Sequence, residues 1–233
     1  MFEQTEKEFL KEIDVLLKED KTEQAIKQMN QSVFKDNIEV LKVLGNAYIR
    51  IDEYALALQT FQFLASFELD EHGKRWISLN LGVILRETGQ LDQAKEVLHK
   101  LVKDYPEDAS YLCELGNCYF DAKENRLAEE YFLKAIKNIE TASCDFNKAQ
   151  IYSYAAWFFK ETERIEIAIK LYKKALSYRP THKDYLLWLG DCYSEKEKNV
   201  LAKKFYLKAK EYYPEDYMIQ EYVGNKLEWL DGG

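Results

Sequence analysis

Small and large apolar residues recur three and four positions apart along most of this chain, with polar residues between them. The clearest stretch is 183–216, where a short polar turn separates two such runs. The first run is Leu186, Leu189, Gly190 and Tyr193, and the second is Ala202, Tyr206 and Ala209. This spacing puts each run on one face of a helix. The stretch therefore predicts two amphipathic helices, and Pro214 ends the second because proline cannot continue the hydrogen-bond ladder.

The same arrangement recurs in register at intervals of about 34 residues. If Gly190 is taken as position 8 of a unit, position 8 is small in most of the other units. These residues are Gly45, Gly82, Gly116 and Ala156. Position 20 is always alanine, at Ala25, Ala57, Ala94, Ala128, Ala168 and Ala202. All three prolines, Pro106, Pro180 and Pro214, share position 32. The chain is therefore predicted to be an array of helix pairs joined by short polar turns.

This signature resembles the tetratricopeptide repeat, whose 34-residue unit is a helix–turn–helix. The resemblance covers nearly the whole chain. It implies an all-α fold, a right-handed α-solenoid of about six units plus a C-terminal capping helix, in a single domain over 1–233. The expected units are 3–36, 38–71, 75–108, 109–142, 149–182 and 183–216, with the capping helix at 216–230.

Two departures from the 34-residue spacing predict insertions. The step from Gly45 to Gly82 is three residues too long and the step from Gly116 to Ala156 is six too long. The extra residues fall in 67–75 and 140–148, each between the second helix of one unit and the first helix of the next. There they can lengthen a helix or a loop without breaking the stack. The first unit is degenerate, with helices expected at 3–18 and 21–34.

Small residues at positions 8 and 20 are expected to let the two helices of a unit approach closely. Large residues at positions 7, 11 and 24, such as Leu115, Tyr119 and Phe132, would fill the space around them. Ala128 and Ala202 should then be buried at helix crossings. The leucine and aromatic stripes are therefore interpreted as core and not as a cofactor site.

Composition narrows the classes of function. The formal charge of −8 disfavours a nucleic-acid or anionic-membrane surface. The sequence contains no run of 18 apolar residues, so no membrane span is predicted. The acidic N-terminal stretch does not resemble a signal peptide. The four cysteines, Cys113, Cys118, Cys144 and Cys192, lack metal-binding or CxxC spacing, which favours buried thiols in a reducing compartment. A cytoplasmic protein is expected.

Catalysis has no support in the sequence. The three histidines, His72, His99 and His182, do not pair with serine or cysteine at a known motif spacing. No glycine-rich phosphate loop and no metal-ligand pattern occurs. We expect no catalytic residue, no metal and no cofactor, and hence no enzyme.

The family resemblance implies that positions 2, 5, 9, 12 and 13 of each first helix line a concave groove. The candidate peptide-binding residues carried over from it are Lys42, Asn46, Arg50, Trp76, Arg86, Asn117, Phe120, Trp157, Lys160, Asp184 and Asp191. The three aromatic residues would receive apolar side chains of a ligand; alternatively, they pack against the neighbouring insertions. Charge in the groove is positive in the first half and negative in the second, which predicts a peptide with one acidic and one basic end. The alternative is a solvated face without a charge pattern.

Some members of the family grip a C-terminal carboxylate of chaperones through lysine, asparagine and arginine at positions 5 and 9. Here Lys42 and Asn46 match that pattern, whereas Val83, Cys113 and Asn117 do not. Two of five positions match, so the clamp receives little support.

The leading hypothesis is a non-enzymatic protein–protein interaction module, scaffold or co-chaperone-like, that binds a peptide or partner helix in the groove. The alternative is a structural subunit that docks through its convex face or C-terminal helix in a larger assembly or homodimer. RNA binding would need a basic groove, which the acidic second half lacks. Tyr222, Leu227 and Trp229 are more apolar than a cap requires, and surface near Trp229 and Leu230 is predicted to support weak self-association. The chain is thus expected to be a monomer or a weak homodimer.

Overall fold

In the computed structural model the chain is all-α, and the structure describes residues 5–141 and 145–232. These residues form thirteen α-helices and one short 3-10 helix, at Ile139–Thr141, and contain no strand. The α-helices are α1 (Glu6–Lys18), α2 (Thr22–Gln31), α3 (Ile38–Arg50), α4 (Tyr54–Leu64), α5 (Glu71–Glu87), α6 (Leu91–Asp104), α7 (Ala109–Asp121), α8 (Asn125–Lys137), α9 (Asp145–Glu161), α10 (Ile165–Tyr178), α11 (Lys183–Glu195), α12 (Asn199–Tyr212) and α13 (Tyr217–Gly232). The predicted all-α repeat fold is confirmed, whereas the borders of the six units stay a prediction.

Two compact units divide the chain, at residues 1–101 and 102–233. Each has its own apolar core. In the first unit, buried residues such as Ile13, Met29 and Phe61 form one cluster. In the second, Phe132, Tyr172 and others form a larger one. Within each unit consecutive helices pack as pairs, because each amphipathic helix buries its apolar stripe only against a neighbour.

Glycine at position 8 lies directly under a large side chain from the second helix of the same pair. A Cβ added to Gly45 would lie 2.9 Å from the Phe61 ring, and one added to Gly190 would lie 2.5 Å from the Tyr206 ring. Ala128 and Ala202, at position 20, are fully buried as expected. The predicted packing of small residues against large ones is therefore confirmed at these positions.

Both insertion regions coincide with longer first helices. α5 and α9 have 17 residues, whereas α3, α7 and α11 have 13. Asp70 caps the extended start of α5 by accepting a bond from the Gly73 N–H at 2.8 Å. The first insertion therefore lengthens a helix. Residues 142–144, within the second insertion, lie outside the described residues.

The turns within helix pairs share one backbone conformation. Position 15 has a positive φ in every pair, at Asp20, Asp52, Gly89, Lys123, Glu163 and Glu197. The N–H of the next residue bonds back to a carbonyl five positions earlier, as Arg164 does to Phe159 at 2.8 Å. This is a left-handed helix C-terminus, which favours glycine. Only one of the six residues is glycine. The other five adopt a strained backbone conformation because the turn requires it.

Three of the cysteines, Cys113, Cys118 and Cys192, are buried thiols in the core. Burial raises the pKa of Cys192 to about 12, so this thiol is protonated at neutral pH. Cys144 lies outside the described residues. None of the described helices has the length and apolar character that crossing a membrane requires.

Asp191 of α11 fixes the last helix to the rest of the second unit. Its carboxylate accepts bonds from the hydroxyls of Tyr206, at 2.7 Å, and Tyr222, at 2.8 Å. The ammonium of Lys226 lies 3.0 Å away. Burial, and then the contacts with this carboxylate, raise the pKa values of both tyrosines. One side chain therefore joins α11 to α12 and α13.

We predict that Ala128→Leu destabilises the protein by about 1–3 kcal/mol, because a larger side chain overpacks a filled helix crossing. The free energy of unfolding from urea denaturation measures this effect. Leu133→Ala is the matched control on the same helix, because Leu133 is half exposed and its loss should cost less than about 0.5 kcal/mol. Equal effects of the two substitutions would show that the repeat register is misassigned.

We predict that Glu163→Gly stabilises the protein by up to about 1 kcal/mol, because glycine removes the strain of a positive φ. Gly89→Ala, at the same position of another pair, should destabilise it by about 1 kcal/mol. Urea denaturation of both variants checks the pair. If Glu163→Gly lowers stability, the side chain at this position makes a contribution larger than the backbone strain.

We predict that Asp191→Asn costs about 1–3 kcal/mol, because the neutral amide cannot accept all three bonds and leaves Lys226 without its ion pair. The loss should be local, so hydrogen exchange should accelerate first in α13. Glu228→Gln, on the exposed side of the same helix, is the control and should leave exchange unchanged. Uniform acceleration over all helices of the second unit would contradict a role specific to α13.

Candidate functional site

The predicted binding residues all lie on the first helices of the pairs, in two groups. Five are in the first unit and six are in the second. The first group is Lys42, Asn46 and Arg50 on α3 and Trp76 and Arg86 on α5. The second group is Asn117 and Phe120 on α7, Trp157 and Lys160 on α9, and Asp184 and Asp191 on α11.

Arg50 contacts the turn between α1 and α2. Its guanidinium donates to the carbonyl oxygen of Leu17 at 2.9 Å and to Asp20 at 3.0 Å. These bonds tie α3 to the preceding pair. The charge is therefore partly satisfied inside the first unit, and the position has a structural use that the sequence did not indicate.

The other two predicted cations of the first unit also have acidic neighbours. Lys42 pairs with Glu39 one turn earlier, at 2.7 Å, and Arg86 pairs with the adjacent Glu87. Asn46, one turn after Lys42 on α3, is exposed. The expected positive patch therefore consists of ion pairs, which weakens its field at physiological salt.

The rings of Trp76 and Phe120 pack against the apolar cores of their units. The Trp76 ring is half-buried, with its centroid 5.2 Å from that of Phe61, and it packs on the cluster of the first unit. Phe120 makes an edge contact with Phe158 at 5.5 Å in the second unit. Both rings therefore already have aromatic partners in the cores.

Asn117 and Asp184 of the second unit differ in exposure, because 43% of the Asp184 side chain is exposed whereas Asn117 has little exposed surface. Asn117 is buried and donates to Glu114 at 3.1 Å. Asp184 is half-buried, and burial raises its pKa. Burial and nearby positive charge lower the pKa of its neighbour His182 to about 4, so this pair is not an ion pair at neutral pH.

Trp157 differs from the other two aromatic candidates because its side chain is exposed. Its relative exposure is 44%, although one edge contacts the Trp188 ring with centroids 5.7 Å apart. Trp188 is half-buried on α11 and holds the orientation of Trp157. An indole fixed from one side and open on the other is suited to receive an apolar group.

Lys160 lies one turn after Trp157 and bridges α9 to α11. Its ammonium is 2.9 Å from Glu195 and 3.6 Å from Glu161. Burial opposes the charged form, but the bond to Glu195 and the adjacent carboxylates outweigh it and raise the pKa of Lys160. The lysine is therefore charged, and it is already paired.

Asp191 already accepts hydrogen bonds from Tyr206 and Tyr222 and pairs with Lys226. Only 15% of its side chain is exposed. A basic ligand segment would have to displace these partners. The sequence analysis missed this use because the partners lie on two other helices.

A cleft of about 570 Å³ opens between α11 and α13 beside these residues. Its lining residues are Ser194, Glu195, Tyr222, Asn225, Lys226 and Trp229. Trp229 is 66% exposed, whereas the neighbouring Leu230 is buried. Only Trp229 of that pair therefore remains available for the contacts that the sequence analysis assigned to both residues.

A signal for these cleft residues was present in the sequence. Gly224 occupies position 8, so Asn225 and Trp229 occupy positions 9 and 13, the same groove positions used to select the other candidates. The repeat numbering therefore extends into α13, which the sequence predicted only as a cap.

The exposed residues on α9, α11 and α13 are joined by shared contacts. Glu195 pairs with Lys160 of α9 and also lines the cleft with Lys226 of α13. We name this set the tryptophan surface, and it consists of Trp157, Lys160, Ser194, Glu195, Tyr222, Asn225, Lys226 and Trp229. It contains two exposed indoles and two ion pairs that join different helices. In the described residues, no group of three or more histidine, cysteine or acidic side chains is placed to hold a metal.

Comparison with solved structures supports the fold. A chain in the crystal structure of the APC/C hetero-tetramer Cut9–Hcn1 superposes with a TM-score of 0.69 at 15% identity, over 94% of this chain and 42% of that one. YrrB, described as a TPR protein with an unusual peptide-binding site, gives 0.53 at 17% identity over 82% and 93%. MamA from Desulfovibrio magneticus RS-1 gives 0.54 at 18% identity over 77% and 97%. These identities establish a shared fold alone.

Sequence comparison adds one curated relative and a family. Over 174 residues, 73% of this chain, the sequence is 28% identical to human Protein O-mannosyl-transferase TMTC3, and the match spans 18% of that protein. The match therefore concerns a small part of a much longer protein. A sequence model described as Tetratricopeptide repeat matches residues 79–143 and 156–217, more than half of the chain. This chain belongs to the tetratricopeptide repeat family.

Proposed function

We propose that this chain is a non-enzymatic scaffold module that binds a peptide or a partner helix on the tryptophan surface of its second unit. The observation that carries the proposal is the pair of exposed indoles, Trp157 and Trp229, beside a cleft and two interhelical ion pairs. The family fold is consistent with an interaction scaffold, and the location of the contact is our inference.

The two tryptophans would supply most of the affinity. Removing exposed indole surface from water lowers the free energy by about 25 cal/mol per Å². Tryptophan is also enriched among the few residues that dominate protein interfaces. Since Trp157 is held by Trp188 and Trp229 lies on a docked helix, little side-chain freedom would be lost on binding.

Polar groups of the cleft would set the orientation of the ligand. The amide of Asn225 offers both a donor and an acceptor to a ligand backbone, and the Ser194 hydroxyl does the same. Lys160 and Lys226 are already paired with Glu195 and Asp191. A ligand charge would therefore compete with an internal partner, so charge should affect association rate and specificity more than affinity.

The solved relatives support this proposal only at the level of the fold. The YrrB structure shows that a fold of this kind has been described with a peptide-binding site. No residue is carried over from it, because identity is 17%.

A second candidate function is docking as a structural subunit through the outer face of α4. No charged residue occurs in 54–66, and Leu56 and Phe63 are 40% and 46% exposed there. The other second helices carry charged outer residues such as Lys134 and Glu166. An uncharged outer face with exposed apolar side chains is typical of a contact surface.

We predict that Trp157→Ala and Trp229→Ala each weaken peptide binding tenfold or more, because each truncation removes an apolar anchor. The probes are synthetic peptides selected from a displayed random library on the wild-type protein, with affinity measured by fluorescence anisotropy. Since the effect is apolar, it should persist from low to high salt.

Two controls locate the contact. Leu207→Ala removes an exposed apolar side chain from α12, and Lys42→Ala removes a predicted contact in the first unit; neither should change affinity by more than about twofold. Circular dichroism must show every variant folded. Peptides that bind the tryptophan variants as tightly as the wild type would refute this surface, and loss of binding only in Phe63→Ala would favour docking through α4.

A further inference from the structure

Lysines are concentrated on α10 and α12, the second helices of two consecutive pairs. These two helices carry seven lysines and two glutamates, whereas the chain as a whole has a formal charge of −8. The first helices of the same pairs, α9 and α11, carry three lysines and five acidic residues. Positive charge in this part of the chain therefore lies mostly on the second helices.

Two exposed repeat positions show how α10 and α12 differ from the second helices before them. In α6, Glu96 at position 22 pairs with Lys100 at position 26, and the two charged groups are 2.9 Å apart. In α8, Glu130 and Lys134 form the same pair at 2.7 Å. Each pair joins residues one helical turn apart, with the glutamate first, and such pairs stabilise a helix.

Position 22 is lysine instead of glutamate in both α10 and α12. Lys170 therefore lies one turn before Lys174, and Lys204 lies one turn before Lys208. Within 5–141 and 145–232, none of these four ammonium groups forms an ion pair. Like charges at this spacing destabilise a helix, so the helices themselves gain nothing from the exchange.

The four lysines lie on one face of the second unit. Positions 22 and 26 are one turn apart, so both lysines of a pair occupy the same side of their helix. The repeat step from α10 to α12 is 34 residues without an insertion, so equivalent positions lie on the same side of consecutive pairs. Lys170, Lys174 and Lys204 are exposed, and Lys208 is partly exposed. We name these four residues the lysine face.

The charge of the lysine face favours a short acidic segment over an extended polyanion. The formal charge of −8 opposes adhesion to a membrane or a nucleic acid, whereas a short segment meets only the local lysines. The face also contains no arginine for bidentate phosphate contacts and no aromatic ring on which a base could stack.

Apolar side chains beside the lysines indicate that the partner is amphipathic. Leu207, three residues after Lys204, is 51% exposed. Ile167, three residues before Lys170, is 38% exposed. A helix with carboxylates one turn apart would match the spacing of the lysines, and apolar residues next to its carboxylates would cover Leu207 and Ile167.

We propose that the lysine face binds an amphipathic helix of a partner protein, in which aspartates or glutamates recur four residues apart beside leucine-like side chains. The partner would supply the negative charge that Glu96 and Glu130 supply within α6 and α8. The like-charge pairs on α10 and α12 would then reduce stability in the free protein and contribute affinity in the complex. This surface is separate from the tryptophan surface, which lies on α9, α11 and α13.

The probe for the test is a synthetic alanine-based helix of about 20 residues, labelled with a fluorophore, in which glutamates four positions apart form one row beside leucines. Its anisotropy is measured against the whole protein. We expect saturable binding that weakens tenfold or more in Lys170→Glu combined with Lys204→Glu, and this effect should shrink as salt is raised. A peptide of equal composition with its glutamates spread around the helix should also bind tenfold more weakly.

Stability separates a binding role of these lysines from a structural one. Lys170→Glu combined with Lys204→Glu gives α10 and α12 the charge arrangement of α6 and α8, so the melting temperature should rise by about 1–4 °C. Lys11→Glu combined with Lys27→Glu is the matched control, because it changes the net charge equally on helices of the first unit. It should alter binding of the peptide by less than about twofold.

Two single substitutions distinguish this surface from the tryptophan surface. Leu207→Ala should weaken binding of the acidic helix by about threefold or more, because it removes apolar contact area beside the lysines. Trp157→Ala should leave binding unchanged. Loss of binding in Trp157→Ala but not in the double lysine variant would place the acidic helix on the tryptophan surface and overturn this proposal alone.

Other results would also overturn the proposal. They are the absence of saturable binding up to millimolar peptide, binding that the double lysine variant does not alter, and a fall in the melting temperature of that variant. Tighter binding of a single-stranded oligonucleotide, or of vesicles of phosphatidylserine and phosphatidylcholine, would assign the face to that ligand if the double variant abolished it. Self-association in sedimentation that the double variant abolishes, without peptide binding, would assign the face to a second copy of this chain.

Discussion

The contact between a small residue on the first helix and a bulky residue on the second determines how most of the helix pairs pack. At Gly190 the Tyr206 ring comes so close that one methyl group would force it to move. Such a contact fixes the separation and register of two helices with a single side chain. Fully buried alanines such as Ala128 and Ala202 repeat the principle from the second helix. The order of the core therefore depends on where glycine and alanine occur as much as on where the large residues occur.

Because the core depends on the positions of glycine and alanine, the fold could be predicted from the sequence. Glycine, alanine and proline are constrained by backbone geometry and close approach, so their positions recur strictly. The turns were identified as short and polar, but their left-handed residue was not. Lys123 and Glu163 adopt a positive φ because the chain must reverse there, and nothing in their chemistry signals it. Tertiary context overrides local preference at these positions.

The candidate site was less predictable because it depends on which partner each side chain finds. Asp191, Arg50 and Lys160 were selected by their position in the repeat, which correctly placed them on first helices. The position could not reveal that Asp191 accepts two tyrosine hydroxyls or that Arg50 reaches the carbonyl of Leu17. Such bonds join residues about 15 to 33 positions apart, beyond the reach of a periodic pattern. Repeat position also did not separate Trp157, which is exposed, from Trp76, whose ring packs beside Phe61 in the core.

The helix α13 carries part of the tryptophan surface, and this has a thermodynamic consequence. It is held by α12 and by the Asp191 contacts. A peptide on the tryptophan surface would touch Trp229 and Lys226 of this helix. To the extent that α13 loosens in the free protein, the ligand would have to order it, and the free energy of that ordering would reduce the affinity. The bonds of Asp191 would therefore contribute to binding without touching the ligand, because they hold α13 in place before the ligand arrives.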